Sequence, residues 1–186
     1  MATTDVESTL DYVKSRMDIL DCIHRIARGV DRLDEATFRS GYHEDAVLDF
    51  GTMIGNPQRF IDFFFDLHRN MHKATAHTIC NHVCEIDGDV AHTETYFIFG
   101  SENASGVPTT LAGGRYIDKF ERRDARWGIA LRKCVTTWNM TPDNDVSQQI
   151  AAAFALVGHV SRDRNDLSYD RPSVVAPKRE PDIVRA

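Results

Sequence analysis

The 186-residue chain is long enough for one sizeable hydrophobic core and too short for two, so we expect a single domain. Its formal charge of −6 argues against a nucleic-acid partner, because binding a polyanion requires clustered lysine and arginine side chains. The N-terminal residues have neither the basic nor the apolar region of a secretory signal, and no apolar run approaches the roughly 18 residues of a membrane span. We therefore expect a cytoplasmic protein without a membrane partner.

Apolar residues at helical spacing predict three helices in the N-terminal part of the chain. The first ends near Gly29, and a short second helix begins after the capping residue Asp34. The third covers about 57–71, because Asn56 can cap a helix whose first residue is Pro57.

Beyond the third helix, apolar and polar residues alternate with the period of two that is typical of strands. Two turn sequences, Asp87-Gly88 and Asp124-Ala125, each separate a pair of such runs, and the segment 46–51 adds a short strand. A group of helices followed by at least four long antiparallel strands indicates an α+β fold. We predict a strongly curved sheet with the helices packed on one face.

The C-terminal part of the chain carries two further predictions. Segment 145–157 has the composition of a helix, and the sequence from Pro172 onward indicates a poorly ordered tail. We assign residues 1–160 to the domain and 161–186 to a C-terminal extension that is partly disordered. The sequence holds no glycine-rich nucleotide motif and no zinc-protease or hydrolase signature.

Asp31 and His77 are the first two candidate catalytic residues. Asp31 lies at the C-terminal end of the first helix, where the helix dipole disfavours a carboxylate unless another group compensates it. His77 shares its side of the predicted strand with Ile79 and Val83, which directs it toward the interior. An aspartate paired with a histidine in an apolar cavity can transfer protons, because the aspartate orients the ring and stabilises the imidazolium. A helix-end cap and a core histidine are the alternative interpretations.

Arg132 is the third candidate catalytic residue. On the last long strand it shares a face with Cys134, Thr136 and Trp138. An arginine that faces a pocket can hold a carboxylate or stabilise an enolate or a departing halide. The alternative interpretation is an ion pair across the sheet, for which Glu94 is the candidate partner.

The histidines and cysteines match no metal-binding template. His72, His77 and His82 recur every five residues, and in a regular strand His82 faces away from His77. The four cysteines are scattered without a CxxC pair, which indicates buried reduced thiols. We therefore expect no bound metal.

Four stretches of the sequence resemble a known family, the SnoaL-like branch of the nuclear-transport-factor-2-like, or scytalone-dehydratase-like, proteins. They are GVDRLDEATF at 29–38, ATAHTICNHV at 74–83, GGRYIDKFERRDARWGIALRKCVTTW at 113–138 and RNDLSYDRP at 164–172. The resemblance implies a cone-shaped α+β fold whose helices and curved sheet enclose one apolar pocket. It also implies a homo-oligomer, either a dimer or a trimer.

The resemblance further implies cofactor-free proton abstraction, the chemistry shared by dehydratases, a dehydrochlorinase, steroid isomerases and polyketide cyclases of the family. By this likeness His77 and Asp31 form the catalytic dyad, and Arg132 is similar to the pocket arginine of the dehydrochlorinase. The implied ligand is a small hydrophobic molecule.

One position departs from the family pattern. Dehydratase members often carry a tyrosine shortly before the dyad aspartate, and this chain has Ile26 there. The phenol that protonates a leaving oxygen is therefore missing at this position, and Tyr96, Tyr116 and His24 are the candidates to replace it.

Three functions remain open at this point. The favoured hypothesis is a cofactor-independent lyase, of the dehydratase or dehydrohalogenase type, that acts on a small hydrophobic cyclic substrate. A ring isomerase or a polyketide-type cyclase could use the same base. A non-catalytic ligand-binding or assembly domain would instead have a pocket filled by side chains, or an imidazole blocked from the cavity.

Overall fold

A group of helices forms the N-terminal part of the structure, as the sequence predicts. The structure is a computed structural model, and it describes residues 2–106, 109–140, 153, 156–159 and 164–175. The helices are α1 (Ala2–Asp31), α2 (Glu35–Arg39), α3 (Pro57–Phe60) and α4 (Asp66–Met71), with a π-helical turn (Ile61–Phe65) between the last two. The predicted third helix therefore has the expected bounds but contains one wider turn. None of the helices in these ranges combines the length and the hydrophobicity that a membrane crossing needs.

A six-stranded mixed sheet forms the rest of the fold. Its strands are β1 (Tyr42–Asp49), β2 (Ile54–Gly55), β3 (His72–Asp87), β4 (Val90–Asn103), β5 (Thr110–Arg123) and β6 (Arg126–Asn139). Their order is β2-β1-β6-β5-β4-β3, so β3 is an edge strand. β1 runs parallel to β6, and every other neighbouring pair is antiparallel. The curved, unclosed sheet that follows the helices confirms the predicted α+β class.

Two tight turns form the hairpins that the sequence predicts. Gly88, between β3 and β4, has a φ of 57°. Asp124 and Ala125, between β5 and β6, have φ angles of 49° and 60°. Positive φ at such positions is typical of two-residue hairpin loops, because their twist matches that of the flanking strands.

The hydrophobic core lies between the helices and one face of the sheet, which we call the helix face. Its buried members include Ile23, Phe38, Phe65, Phe120 and Ile129. A glycine is required where α1 meets α2, since a Cβ atom on Gly29 would lie 2.5 Å from the backbone nitrogen of Phe38. This close packing fixes the end of α1, and with it the position of Asp31.

A β-bulge in β3 changes the direction of one histidine. The pairing of β3 with β4 shifts between Ile79 and His82, where the strand accommodates one extra residue. His82 consequently lies on the helix face, where its Nδ1 is 2.9 Å from Thr95 Oγ1, and Val83 is exposed on the opposite, outer face. The prediction that His82 faces away from His77, and that Val83 shares a face with His77, is wrong because the strand is not regular.

Part of the predicted C-terminal extension, residues 164–175, lies against the outer face of the sheet. Leu167 packs with Ile117 in a small buried cluster. Asp166 accepts two hydrogen bonds from the guanidinium of Arg115, at 3.0 and 2.9 Å. These contacts attach the segment to β5.

Two C-terminal predictions fall largely outside the described residues. The helix expected over 145–157 is described at few positions, and the tail beyond residue 175 is not described. Ser173, which precedes that part of the tail, is buried. The domain boundary at residue 160 stays a prediction.

Candidate active site

Asp31 and His77 meet at the edge of the sheet, where the last residue of α1 lies beside β3. Asp31 Oδ1 is 2.7 Å from His77 Nδ1, and Asp31 Oδ2 accepts the backbone N–H of His77, also at 2.7 Å. Thr75 donates its hydroxyl to Asp31 Oδ1 at 3.1 Å. The structure therefore brings together two residues that the sequence indicated, and it adds a third.

The hydrogen bond to Asp31 fixes the protonation of the imidazole. A carboxylate only accepts hydrogen bonds, so Nδ1 of His77 carries the hydrogen, and Nε2 keeps its lone pair while the ring is neutral. Burial tends to raise the pKa of Asp31, but the hydrogen bonds and charge of His77, together with Thr75, outweigh it and lower that pKa below its ordinary value. Asp31 is thus an anion that orients the imidazole ring.

The same hydrogen bonds explain how a carboxylate is tolerated at the C-terminal end of a helix. The dipole of α1 opposes a negative charge there, and the donors from β3 compensate for it. Sequence reasoning missed Thr75. The available signal was its position two residues before His77, which places both side chains on the same side of a regular strand.

The dyad lies in the wall of a cleft of about 490 Å³ between α1 and β3. The residues that line the cleft are His24, Ala27, Arg28, Asp31, Arg32, Thr75, His77 and Ile79. The side chains of His77 and Asp31 are 11% and 16% exposed, so both are largely withdrawn from water and still reach the cleft. A cleft of this volume is in the range of small-molecule sites.

Aromatic side chains of β4 lie beside the imidazole on the helix face. The ring centroid of His77 is 4.9 Å from that of Phe99 and 6.2 Å from that of Phe97. Phe97 in turn stacks on Tyr116, with 4.4 Å between the centroids. The imidazole is therefore held between a carboxylate and an apolar wall.

Arg132, the third predicted site residue, does not line the cleft. Its Nε and Nη2 each donate to a carboxylate oxygen of Asp118 on β5, both at 2.8 Å. Its guanidinium carbon is 4.1 Å from the centre of the Tyr116 ring, and its side chain is 2% exposed. The alternative interpretation of an ion pair across the sheet is confirmed, but its partner is Asp118 and not Glu94, which binds Arg115.

Of the three candidates for the missing acid, His24 lines the cleft and the two tyrosines do not. Tyr96 is half-exposed on the outer face, and Tyr116 is buried, which raises the pKa of its phenol well above the ordinary value. Ile26, at the position where dehydratase members carry a phenol, belongs to the hydrophobic core. His24 lies seven residues before Asp31 on α1, so both side chains project from the same side of the helix.

A second pair of imidazoles lies where α4 meets β3. The Nδ1 atoms of His68 and His72 are 2.9 Å apart, so one ring donates this hydrogen bond and the other accepts it. Burial lowers the pKa of His68 to about 4, and the nearby rings of His72 and His77 add to the effect. Within the described part of the chain, no group of three or more metal-binding side chains could hold an ion.

The sequence matches the family model of the SnoaL-like domain over residues 11–133, which is more than half of the chain. The matched range contains both members of the dyad. A search of curated protein sequences finds no match.

Several solved structures share this fold. LinA superposes with a TM-score of 0.67 at 23% identity, over 72% of this chain and 92% of its own. The hexachlorocyclohexane dehydrochlorinase LinA-type3 from Novosphingobium barchaimii LL02 gives a TM-score of 0.66 at 21% identity, over 71% and 92% of the two chains. The Kfla4162 protein from Kribbella flavida gives 0.64 at 18% identity, over 76% and 99%. At such identities the likeness establishes the fold alone.

Proposed function

The chain belongs to the family of SnoaL-like domain proteins, and on that premise we propose that it is a cofactor-independent lyase. It removes a proton from carbon, and a leaving group from the neighbouring carbon, of a small hydrophobic cyclic molecule. The leaving group is a halide or a hydroxyl, so the reaction is a dehydrohalogenation or a dehydration. The observation that carries the proposal is an imidazole in the wall of a cleft, oriented by a carboxylate 2.7 Å away.

His77 is the base in this proposal. The lone pair of its Nε2 takes the proton, and the electrons of the broken C–H bond form the new double bond. The leaving group departs with the electrons of its own bond to carbon. Asp31 stabilises the imidazolium that forms, and Thr75 holds Asp31 in place. A positioned general base of this kind contributes about 10²- to 10⁴-fold to the rate.

The two leaving groups make different demands on the cleft. A halide leaves as a stable anion, whereas a hydroxyl must receive a proton to leave as water. His24 is the cleft residue that we assign to this protonation, because it lies on the same side of α1 as Asp31. Arg132 takes no part in the reaction in this proposal, since its guanidinium binds Asp118 away from the cleft.

Similar structures support elimination as the reaction type. One of them is a hexachlorocyclohexane dehydrochlorinase, a name that denotes the loss of hydrogen chloride from a chlorinated ring. Its fold is the fold of this chain, and elimination of this kind requires a base beside an apolar cleft. The dyad supplies the base, and Ala27 and Ile79 are the apolar side chains that line the cleft.

The proposal can be tested with a panel of chlorinated and hydroxylated ring compounds, with halide release and absorbance of the new double bond as readouts. We expect His77→Ala to lower kcat/KM by about 10²- to 10⁴-fold, because it removes the base. His159→Ala is the matched control, since this histidine is exposed and does not line the cleft, and we expect it to retain full activity.

Other outcomes would contradict the proposal. Equal turnover by wild type and His77→Ala would remove His77 from the mechanism. A product with the mass of the substrate would indicate ring isomerisation by the same base. Binding of ring compounds without any turnover would indicate a ligand-binding domain.

A further inference from the structure

The cleft carries two arginine side chains that the proposed reaction does not use. Arg28 lies in the last turn of α1, and Arg32 follows the end of this helix. They are four residues apart, a spacing that brings side chains to the same side of a helix. Among the residues that line the cleft, Asp31 is the one carboxylate.

Asp31 does not satisfy these two guanidinium groups by direct hydrogen bonds. Its Oδ1 accepts from the His77 ring and from Thr75, and its Oδ2 accepts from the backbone N–H of His77. Both carboxylate oxygens are therefore already bound to β3. The positive charge of the two arginines is therefore not bound by a hydrogen bond to Asp31.

Neighbouring carboxylates also leave the two arginines largely free. The Nη1 atom of Arg28 is 3.8 Å from Asp34 Oδ2, which is too long for a hydrogen bond, and Asp34 already accepts two hydrogen bonds from Thr37. Arg32 has no ion pair with any residue that the structure describes. Both side chains are exposed at the cleft.

Four of the five arginines of β5 and β6 show the opposite pattern. Those that bind a carboxylate oxygen at 3.0 Å or less are Arg115, Arg122, Arg123 and Arg132. Arg28 has only the long ion pair with Asp34, and Arg32 has none with a described residue, although the chain has 28 acidic residues against 22 lysines and arginines. The position of these two arginines at the cleft points to an anion that the ligand supplies.

We propose that the substrate of this cleft is an amphipathic anion, an apolar ring that bears a carboxylate. The inference rests on the proposed function, because it gives the charge of that substrate. The ring lies against Ala27 and Ile79 and within reach of His77. The carboxylate receives charge-assisted hydrogen bonds from Arg28 and Arg32, whose planar guanidinium groups match its two oxygens.

The test measures binding rather than turnover. Cyclohexanecarboxylate and naphthalene-1-carboxylate, each beside its neutral amide, are titrated into the wild-type protein by calorimetry at low salt. We expect each carboxylate to bind roughly tenfold more tightly than its amide, the effect of one charge-assisted hydrogen bond. This preference should shrink as ionic strength rises, because the arginines are exposed.

Substitutions test whether Arg28 and Arg32 cause the tighter binding of carboxylates. The double variant Arg28→Gln with Arg32→Gln should bind the carboxylates and the amides alike. Arg25→Gln is the matched control, since Arg25 is exposed on the same helix and does not line the cleft, and it should keep the wild-type preference.

Three outcomes would overturn the inference. They are failure of the carboxylates to bind, equal binding of carboxylates and amides by wild type, and a preference that survives in the double variant. In the last case, a lowered Tm of that variant would mean that the arginines only stabilise the C-terminal end of α1. Because binding is measured without turnover, a carboxylate-selective cleft in a protein that eliminates nothing would contradict the proposed function and leave this inference standing.

Discussion

The Asp31–His77 pair and the Asp118–Arg132 pair join similar chemical groups in different surroundings. Each pair joins a carboxylate to a nitrogen donor. His77 lies on the edge strand β3, whereas Arg132 lies on β6, between β1 and β5. The side chains of Asp31 and His77 are 16% and 11% exposed, and those of Asp118 and Arg132 are 0% and 2% exposed.

This difference supports the choice of the Asp31–His77 pair in the proposed function. The guanidinium of Arg132 donates to Asp118 and is covered by the Tyr116 ring. It therefore joins β6 to β5 within the buried part of the fold. The imidazole of His77 uses Nδ1 for Asp31, and in the proposed function its Nε2 is the base. Position and residue type together thus separate the structural ion pair from the candidate dyad, because a neutral imidazole can accept a proton and a guanidinium cannot.

The largest predicted effect concerns the buried pair. Asp118→Ala leaves the charge of Arg132 buried without its partner, and we expect it to lower the free energy of unfolding by about 3–5 kcal/mol in urea denaturation. Asp118→Leu combined with Arg132→Met is the control, because replacing both charges removes the penalty and should recover most of the loss. A change below about 1 kcal/mol for Asp118→Ala would contradict the role of this pair as a buried ion pair, since that is the range of an exposed pair.

His68 is buried like Arg132, but it binds another imidazole instead of a carboxylate. The pKa of His68 is about 4 in the folded protein and 6.5 ordinarily. Between these values the unfolded chain binds more protons, so stability falls as the pH decreases, by up to roughly 3 kcal/mol. We expect His68→Phe to flatten the dependence of the unfolding free energy on pH in this window. His159→Phe, at an exposed position, should keep the wild-type slope.

Asp31→Asn tests the more exposed pair. We expect it to lower the free energy of unfolding by about 1–3 kcal/mol at neutral pH, less than Asp118→Ala, because the site remains open to water. The pKa of Asp31 is lowered in the fold, so its stabilising effect is present above the ordinary pKa and is lost as the pH falls through the folded value. Wild type and variant should therefore converge in acid. A constant difference at all pH values, or one also given by the exposed Asp66→Asn, would refute the assignment.

Thr75→Val gives the smallest predicted effect. It removes one hydrogen bond to Asp31 and should lower the free energy of unfolding by about 0.5–1.5 kcal/mol in urea denaturation. Thr78→Val is the matched control on the same strand, because Thr78 is exposed, and it should be nearly neutral. Equal effects of the two substitutions would mean that Thr75 does not support the dyad.

Local patterns in the sequence predicted the helices, the hairpins and the α+β class. The capping residues Asp34 and Asn56 and the turn at Asp124-Ala125 act within a few residues, so their signals could be interpreted without the fold. Asp31 was a candidate because the helix dipole disfavours a negative charge at a helix C-terminus unless other groups compensate it. Its hydrogen bonds to β3 provide this compensation. The dimer or trimer implied by the family resemblance stays a prediction.

Features that depend on pairing between strands could not be predicted. The alternation of residues along the strand predicted on which face of the sheet Arg132 lies. Its partner, however, depends on which strand lies beside β6, and that strand carries Asp118 rather than Glu94. The bulge that turns His82 to the helix face has no local sequence signal. Arg28 and Arg32 were missed because exposed arginines at a helix end do not reveal that a cleft lies beside them.

The hydrogen bond from the backbone N–H of His77 to Asp31 affects how related sequences should be interpreted. Any residue but proline at position 77 can donate this bond, so a homologue that has lost the histidine would still gain stability from the aspartate. Selection for folding alone could then preserve Asp31 in lineages that have abandoned catalysis. If the proposed function holds, a retained aspartate is therefore weaker evidence of enzymatic activity in a homologue than a retained histidine.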